Sequence, residues 1–263
     1  MRHTFVICAY KESEFLEECV ESLKKQTIKS NIIMVTSTPN EHIKKIANKY
    51  GIKLFVNYGE GGIAQDWNFG ISQCKTEYIT IAHQDDIYEP EYLVNILKNI
   101  EKARKPIILF TDYGEIKKSK KYDKSTLLKV KRKMLMPLKI RYLWYSKFVR
   151  RRILFHIGNP ICCPSVTYVM SKLGQPLFDV GLGSNLDWQT WEKLSKEKGE
   201  FVYIPKILMY HRIHEESTTS ELINNNKRTG EDFEMFLKFW PKFIAKILTK
   251  IYSKSEKYNS TSD

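Results

Sequence analysis

The sequence has 263 residues, of which 42% are hydrophobic and 28% are charged, so it is long enough to form one large domain or two small ones around a buried core. This composition excludes a disordered, a collagen-like and an ordinary membrane protein. The 43 Lys and Arg against 30 Asp and Glu give a net charge of +13, which suggests nucleic acid, anionic lipid or a phosphorylated substrate as partner.

Two segments hold all of the excess positive charge. Residues 117–152 contain fifteen basic residues and one acidic residue, and residues 238–257 contain six lysines and one glutamate. The rest of the chain therefore carries a net charge of −6. Basic charge confined to two segments of an acidic body favours a docking surface over a continuous nucleic-acid track.

No apolar run approaches the roughly 18 residues of a membrane span, and the N-terminus enters a strand pattern without a signal-peptide core. We therefore expect a cytoplasmic protein, either free or peripherally attached to the membrane. The odd number of cysteines and the lack of metal-like spacing predict reduced thiols that lie mostly in the core, at Cys8, Cys19, Cys74, Cys162 and Cys163.

The first 111 residues alternate short apolar runs with helical periodicity, as is typical of a mostly parallel sheet with helices packed on it. Strands are predicted at 3–9, 31–36, 52–56, 78–82 and 107–111. Helices are predicted after an N-cap at Ser13, from Pro39 to a stop at Gly51, and at 63–74 and 90–104.

Beyond Asp112 the alternation breaks down. Residues 117–133 have the composition of a mobile charged loop, and 134–155 mix apolar, aromatic and basic residues at roughly helical spacing. The pattern returns with a strand at 165–170, a helix at 188–198 and a strand at 201–210. A basic helical tail follows, in which Pro241 starts a new helix.

Ligands of open α/β sheets bind beyond the carboxyl ends of the strands, which selects residues 10–12, 36–38 and 83–86. Asp85 and Asp86 directly follow an apolar strand. Paired carboxylates at such a position can hold a hard cation against a diphosphate. The alternative is that they cap the next helix.

Five segments, taken in chain order, resemble the family 2 glycosyltransferases. They are Val6-Ile7-Cys8-Ala9-Tyr10-Lys11-Glu12 with the helix at 16–27, Ala64-Gln65-Asp66-Trp67-Asn68-Phe69-Gly70, residues 78–86, Phe178-Asp179 with Asp187-Trp188, and Tyr210-His211-Arg212-Ile213-His214 ahead of 217–219. The resemblance covers roughly residues 3–220. It implies an α/β GT-A fold, Rossmann-like with a mostly parallel central sheet flanked by helices, and inverting transfer of a sugar from a nucleotide-sugar donor.

The resemblance also implies the residues of the donor site. The donor-binding set is Ala9, Tyr10, Glu12, Ser37, Asn68, His83, Gln84, Asp85, Asp86 and Arg212. Asp85 and His214 are the implied ligands of a Mn²⁺ or Mg²⁺ ion, and the late histidines His211 and His214 have a loop-packing role as their alternative.

Asp187 matches the family's general base. Inversion requires the acceptor hydroxyl to lose its proton as it attacks opposite the leaving diphosphate, and a carboxylate can accept that proton. Helix N-capping ahead of Trp188 is the alternative.

The chain departs from the family pattern at the donor side. His83 replaces the first Asp of the metal motif, and Thr36-Ser37 stands where many relatives carry an acidic pair that contacts the base. Asp66 lies where relatives often have Arg, and Leu186 where many have Glu. These departures leave the donor weakly determined, with a UDP-sugar as the expectation.

The tail places Phe243, Ile244, Ile247, Leu248 and Ile251 on one predicted helical face, beside lysines that recur every four residues from 238 to 254. This pattern predicts a helix in the interface of an anionic membrane. A second membrane contact is predicted at 134–155, through Tyr142, Trp144, Tyr145, Phe148 and Arg150-Arg151-Arg152. The alternative is that both segments pack on the body and expose solvated lysines.

We therefore expect a GT-A catalytic domain at 1–225, made of a nucleotide-sugar half at 1–115, a basic insertion at 116–155 and an acceptor-side half at 156–225, followed by an amphipathic helical extension at 226–263. The predicted function is metal-dependent hexosyl transfer to a lipid-linked glycan of a bacterial surface polysaccharide, at the inner face of the membrane, with no nucleic-acid partner. A nucleic-acid-binding protein that uses residues 117–152, and a nucleotide-sugar-binding protein with impaired catalysis, are the alternatives.

Overall fold

The computed structural model describes residues 1–214 and 227–261, so the 217–219 segment lies outside the described residues. Within them, nine strands form one sheet in the order β3-β2-β1-β4-β8-β6-β9-β5, and β7 pairs with β6. The strands are β1 His3–Cys8, β2 Asn31–Thr36, β3 Lys53–Val56, β4 Tyr78–His83, β5 Ile87–Tyr88, β6 Pro106–Lys117, β7 Lys120–Tyr122, β8 Val166–Val169 and β9 Glu200–Arg212. The helices are α1 Leu16–Lys24, α2 Glu41–Lys49, α3 Ile63–Ser72, α4 Tyr92–Ile100, α5 Thr126–Leu135, α6 Leu186–Leu194, α7 Lys227–Leu237 and α8 Lys242–Thr261.

The first four strands of the sheet are parallel, and β8 runs antiparallel between β4 and β6. Because β9 is parallel to β6, the carboxyl ends of β1, β2, β4 and β9 meet at one edge of the sheet. β1 and β4 are buried over nearly their whole length, as expected for central strands with both faces covered. The predicted α/β architecture with helices flanking a central sheet is therefore confirmed.

The first half follows the sequence pattern closely. β2 has the predicted bounds, and α2 begins after Asn40, whose side chain accepts a hydrogen bond from the Ile43 N–H. Gly51 follows α2 at a φ of 60°, the left-handed conformation that ends many helices. The Ser13 N-cap prediction is wrong, since α1 begins after Phe15 without a side-chain cap and Ser13 Oγ accepts a hydrogen bond only from the Phe15 N–H.

The prediction of a mobile loop at 117–133 is also wrong. β6 continues to Lys117, turns through Lys118 and Ser119 at positive φ, and returns as β7 before α5. α5 is fixed because Ser125 caps it at the Leu128 N–H and because its residues Leu128 and Leu135 are buried. The following segment is not one helix but a series of short 3-10 and π turns that ends at Leu154.

The C-terminal helices pack against the body of the protein. The Trp188 ring lies 5.3 Å from that of Phe236 in α7 and 5.8 Å from that of Tyr252 in α8. Trp240 donates a hydrogen bond to the His156 carbonyl over 2.7 Å, and Pro241 separates the two helices as predicted. Among the helices in the described ranges, none combines the length and apolarity needed to cross a bilayer.

Candidate functional site

The end of β1 and the end of β4 are joined by one side chain. The Gln84 amide accepts a hydrogen bond from the Tyr10 N–H over 2.9 Å and donates one to the Tyr10 carbonyl over 3.0 Å. Ala9 is buried and its N–H bonds the Val35 carbonyl of β2. Tyr10 and Glu12 are exposed at this edge.

Ser37, at the end of β2, is tied to the start of α3. Its hydroxyl donates to Asp66 Oδ2 over 2.6 Å, while Asn57 donates to the other carboxylate oxygen over 2.8 Å. The acidic residue that stands where relatives often carry Arg is therefore buried and bonded to its neighbours. Asp66 therefore brings no positive charge to this edge and instead joins the end of β2 to the start of α3 through Ser37.

The Asn68 side chain is bonded to the backbone of Leu177 and Phe178. Its side-chain oxygen accepts hydrogen bonds from the N–H groups of Leu177 and Phe178, both over 3.0 Å, and its amide donates to the Phe178 carbonyl over 2.8 Å. The three bonds fix the segment that precedes α6. The assignment of Asn68 to the donor site stays a prediction.

Asp86 is the buried centre of a polar cluster. Its Oδ1 lies 2.9 Å from His211 Nδ1 and accepts a hydrogen bond from the Arg212 N–H over 3.0 Å, so it joins the end of β4 to the end of β9. His83 Nδ1 lies 3.7 Å from the other oxygen, and the His83 ring stacks on Trp67. Burial lowers the pKa of His211, but the charges of Asp86 and Asp85 outweigh burial and raise this pKa to about 9.

Asp85 and His214 form a second pair beside this cluster. His214 Nε2 lies 2.9 Å from Asp85 Oδ2, and the two side chains are 23% and 16% exposed. Burial raises the pKa of Asp85, but the hydrogen bond with His214 and the charges of His211 and His83 outweigh it and hold this pKa below its usual range. The structure thus brings together the two residues predicted as metal ligands.

Arg212 is engaged within the protein. Its guanidinium bonds the Glu18 carboxylate and the Asp85 carbonyl and lies over the Phe15 ring at 4.3 Å from the centroid. The side chain is only 7% exposed. In this arrangement Arg212 braces α1 against β9, and its contact with the donor diphosphate stays a prediction.

The residues at this edge fit a divalent cation. His83, Asp86 and His211 offer ligand atoms that all lie within 4.8 Å of one another. Asp86 Oδ2 and His83 Nε2 are buried and have no hydrogen-bond partner among the described residues. The two imidazoles in this group favour a transition-metal ion over Mg²⁺, which prefers oxygen ligands.

Asp187 lies in the first turn of α6, half-buried. One carboxylate oxygen accepts a hydrogen bond from the Trp188 N–H over 2.6 Å, and the other accepts one from Asn159 Nδ2 over 2.9 Å. Burial raises the pKa of Asp187 above its usual range despite these bonds and the nearby charges of Arg228 and Lys131. A carboxylate with a raised pKa is a better proton acceptor than an exposed one.

Burial raises the pKa of the Cys162 thiol. The negative charges of Asp86 and Asp187 raise this pKa further, and the positive charge of Lys131 lowers it.

Sequence analysis missed the residues that hold α6 in place. Glu231 of α7 accepts hydrogen bonds from the N–H groups of Gly183, Ser184 and Asn185, and Asp232 accepts one from the Asn185 side chain over 2.7 Å. The only local signal is the run of small polar residues before α6, whose amide groups need an acceptor. Nothing near those residues in the sequence identifies that acceptor.

The chain is similar in sequence to proteins of one known family. The family described as "Glycosyl transferase family 2" matches residues 4–170. An uncharacterized glycosyltransferase of Rickettsia typhi is 27% identical over 249 residues, covering 93% of this chain and 72% of that protein. The matched family region includes the ends of β1, β2 and β4 but stops before Asp187.

Two solved structures share the fold at low sequence identity. TarS 1–349 of S. aureus, in complex with UDP-GlcNAc, has a TM-score of 0.65 and 15% identity, covering 100% of this chain and 76% of that one. The mannosyltransferase PcManGT of Pyrobaculum calidifontis, in complex with GDP-Man and Mn²⁺, has a TM-score of 0.63 and 14% identity, covering 96% and 69%.

Proposed function

Since the chain belongs to glycosyl transferase family 2 and has the GT-A fold, we propose that it transfers a hexosyl group from a nucleotide diphosphate sugar to a hydroxyl of a glycan, with inversion at the anomeric carbon. The donor lies along the edge formed by the ends of β1, β2 and β4. Ala9, Tyr10, Glu12 and Ser37 face its nucleoside, and His83, Gln84, Asp85 and Asp86 face its diphosphate.

The environment of Asp187 is the observation that carries the proposal. Its carboxylate is half-buried, burial raises its pKa, and Asn159 and the Trp188 N–H fix its orientation. In the proposed reaction Asp187 takes the proton from the acceptor hydroxyl as that oxygen attacks the anomeric carbon. A base held in this way accelerates such a step by about 10²- to 10⁴-fold.

We place the divalent cation of the reaction on Asp85 and His214. Both side chains are partly exposed, whereas the Asp86 side chain is fully buried and the unpartnered Nε2 atom of His83 is buried as well. A Mn²⁺ or Mg²⁺ ion bound there would neutralise the charge that develops on the leaving diphosphate. Asp86 and His211 then orient the ends of β4 and β9 that carry the two ligands.

The proposed acceptor is a lipid-linked glycan of a bacterial surface polysaccharide, and the proposed place of work is the cytoplasmic face of the membrane. The basic segments at 117–152 and 238–257 support this location, because a lipid-linked acceptor and an enzyme bound to anionic lipid meet on the same surface. A UDP-sugar is the proposed donor; TarS was solved with UDP-GlcNAc, although PcManGT was solved with GDP-Man.

A donor screen tests the proposal. Purified protein is mixed with UDP- and GDP-sugars in the presence of Mn²⁺ or Mg²⁺, and both thermal stabilisation and release of the nucleoside diphosphate are measured. We expect one donor to stabilise the protein and to be turned over. Stabilisation without release, with or without glycan acceptors, would instead indicate a nucleotide-sugar-binding protein with impaired catalysis.

A further inference from the structure

The outer face of α8 carries an apolar stripe beside a column of lysines. The stripe consists of Phe243, Ile247 and Ile251, whose side chains are 68%, 56% and 61% exposed. Lys242, Lys246, Lys250 and Lys254 are also exposed and follow the same four-residue spacing. Because three of these lysines directly precede a stripe residue, the two columns lie side by side, about 100° apart around the helix axis.

The opposite face of α8 is occupied by the body of the protein. Ala245 and Thr249 are buried there, and the Tyr252 ring packs against Trp188 and Phe236. The backbone at Gly158 approaches Tyr252 so closely that a Cβ would lie 2.7 Å from the ring. The orientation of α8 is therefore fixed, with the stripe pointing away from the body.

The exposed apolar face of α8 is smaller than the five-residue face that the sequence predicts. Leu248 packs against the core, and Ile244 is half-buried, so neither belongs to the exposed stripe. Phe243, Ile247 and Ile251 keep their large apolar side chains in contact with water although the fold gains nothing from their exposure. An exposed apolar stripe next to a column of positively charged lysines indicates an interaction surface.

We infer that the outer face of α8 docks on an anionic phospholipid bilayer, with the stripe inserted among the acyl chains nearest the headgroups and the lysine column on the lipid phosphates. The inference rests on the membrane location proposed above and assigns it to a surface. Residues 242–254 contain no acidic side chain, so the whole outer face is complementary to a negative surface.

The size of the stripe favours lipid over a protein partner. A stable protein interface buries roughly 800 Å² on each partner and has a well-packed centre. Three side chains along one helix edge expose far less apolar area than that. Shallow insertion of one aromatic and two aliphatic side chains, together with several lysines, is instead typical of an interfacial helix.

One residue of the second basic segment lies next to the start of α8. The Arg151 guanidinium lies over the Phe239 ring at 5.4 Å and reaches the Lys238 carbonyl, just ahead of α8. Tyr142 and Phe148 of this segment are 77% and 68% exposed. Both aromatic side chains therefore stand in contact with solvent.

Other residues predicted for this second contact serve the fold instead. Trp144 is buried and donates to the Leu138 carbonyl, and Arg150 is fully buried and bonds the Glu197 and Gly199 carbonyls. Arg151 pairs with Glu192. The prediction that Trp144 and Arg150 contact the membrane is therefore wrong. The Arg151 side chain is 33% exposed, so its membrane contact stays a prediction, and the side chain of Arg152 lies outside the described residues.

Co-sedimentation of the full-length protein with vesicles tests the inference. One set of vesicles contains phosphatidylglycerol and phosphatidylcholine in equal amounts, and the other contains phosphatidylcholine alone. The variants are the stripe triple Phe243→Ser, Ile247→Ser, Ile251→Ser and the lysine quadruple Lys242→Gln, Lys246→Gln, Lys250→Gln, Lys254→Gln. The control, which removes the same charge from exposed lysines of the N-terminal half, is Lys24→Gln, Lys29→Gln, Lys45→Gln, Lys98→Gln.

We expect the wild type to bind the anionic vesicles and not the neutral ones, with weaker binding at high salt. The lysine quadruple should bind about a hundredfold more weakly and the stripe triple about tenfold or more, while the control quadruple keeps its binding. Release of nucleoside diphosphate in solution should be unchanged in all three variants. A protein that binds vesicles but turns over no donor would refute the proposed function and leave the docking surface standing.

Three results would overturn the inference. The first is that the wild type fails to sediment with anionic vesicles. The second is that the control quadruple loses as much vesicle binding as the lysine quadruple of α8. The third is that the wild type self-associates in sedimentation velocity without vesicles and the stripe triple abolishes this association, which would make the stripe a contact between two copies of this chain.

Discussion

The carboxylate of Glu231 accepts hydrogen bonds from both the backbone N–H and the hydroxyl of Ser184, over 2.8 and 2.6 Å. Burial raises the pKa of Glu231, but the Ser184 hydroxyl and three backbone N–H groups outweigh it and hold this pKa below its usual range. The bonded segment ends at Asn185, directly ahead of α6. The position of Asp187 in the first turn of α6 therefore depends on a residue of the C-terminal helices.

Replacing Glu231 with glutamine should reduce catalysis more than donor binding. Glutamine keeps one acceptor oxygen but loses the charge that holds three N–H groups, so α6 can shift and displace the Asp187 carboxylate. We expect kcat to fall by about 10- to 100-fold with little change in KM for the donor, and the free energy of unfolding to fall by about 2 kcal/mol. Steady-state kinetics and urea denaturation measure both quantities.

Glu234→Gln is the matched control, because Glu234 is an exposed acid of the same helix. It should leave kcat and stability close to wild type. A purely structural role for Glu231 would show as lower stability with kcat unchanged at a temperature where the variant is folded.

Local patterns predict the first half of the fold well. β2 has the bounds that its apolar run predicts, and Gly51 ends α2 where its left-handed conformation is expected. The hairpin that joins β6 and β7 turns through Lys118 and Ser119 rather than through Asn-Gly or Gly-rich residues. With lysines on both sides of that turn, the segment has no strand or turn signal, and only pairing with β6 makes it a strand.

The residues of the candidate site could be predicted where they follow the end of a strand or belong to a family motif. Asp85 and His214 do lie together, although 129 residues separate them in the chain. The contacts of Asp66, Asn159 and Glu231 were not predictable, because each joins side chains that no local periodicity relates. The spacing of charges likewise could not show that Arg150 and Arg212 are buried by the fold.

Asp187→Asn should abolish transfer and preserve donor binding. Asparagine has nearly the same shape and can still accept a hydrogen bond from the Trp188 N–H, but it cannot take a proton from the acceptor. We expect kcat to fall by about 10²- to 10⁴-fold, while the donor dissociation constant, measured by calorimetry, stays within about twofold. Glu197→Gln, an exposed acid just beyond α6, is the control, and unchanged turnover in Asp187→Asn would refute the base assignment.

Changes at Asn159 should move the acidic limb of the pH profile. Burial raises the pKa of Asp187, and the hydrogen bond from Asn159 partly offsets that rise. Because the base must be ionised, kcat/KM falls as the pH drops through this pKa. Asn159→Ala removes the offsetting bond and should shift the acidic limb to higher pH. Asn159→Asp adds a like charge and should shift it further, which a profile of kcat/KM against pH measures.

Two aspartates at the end of β4 should respond differently to substitution. Asp85→Asn removes the partly exposed carboxylate next to His214. The Mn²⁺ concentration for half-maximal activity should therefore rise by about tenfold or more, with little change in the melting temperature of the metal-free protein.

Asp86→Asn removes the buried charge beside His211 and should lower the free energy of unfolding by about 3 kcal/mol or more. Glu101→Gln, an exposed acid beyond α4, should change neither quantity. If Asp86→Asn instead raised the Mn²⁺ requirement as much as Asp85→Asn and left the melting temperature unchanged, the ion would belong in the cluster of His83, Asp86 and His211.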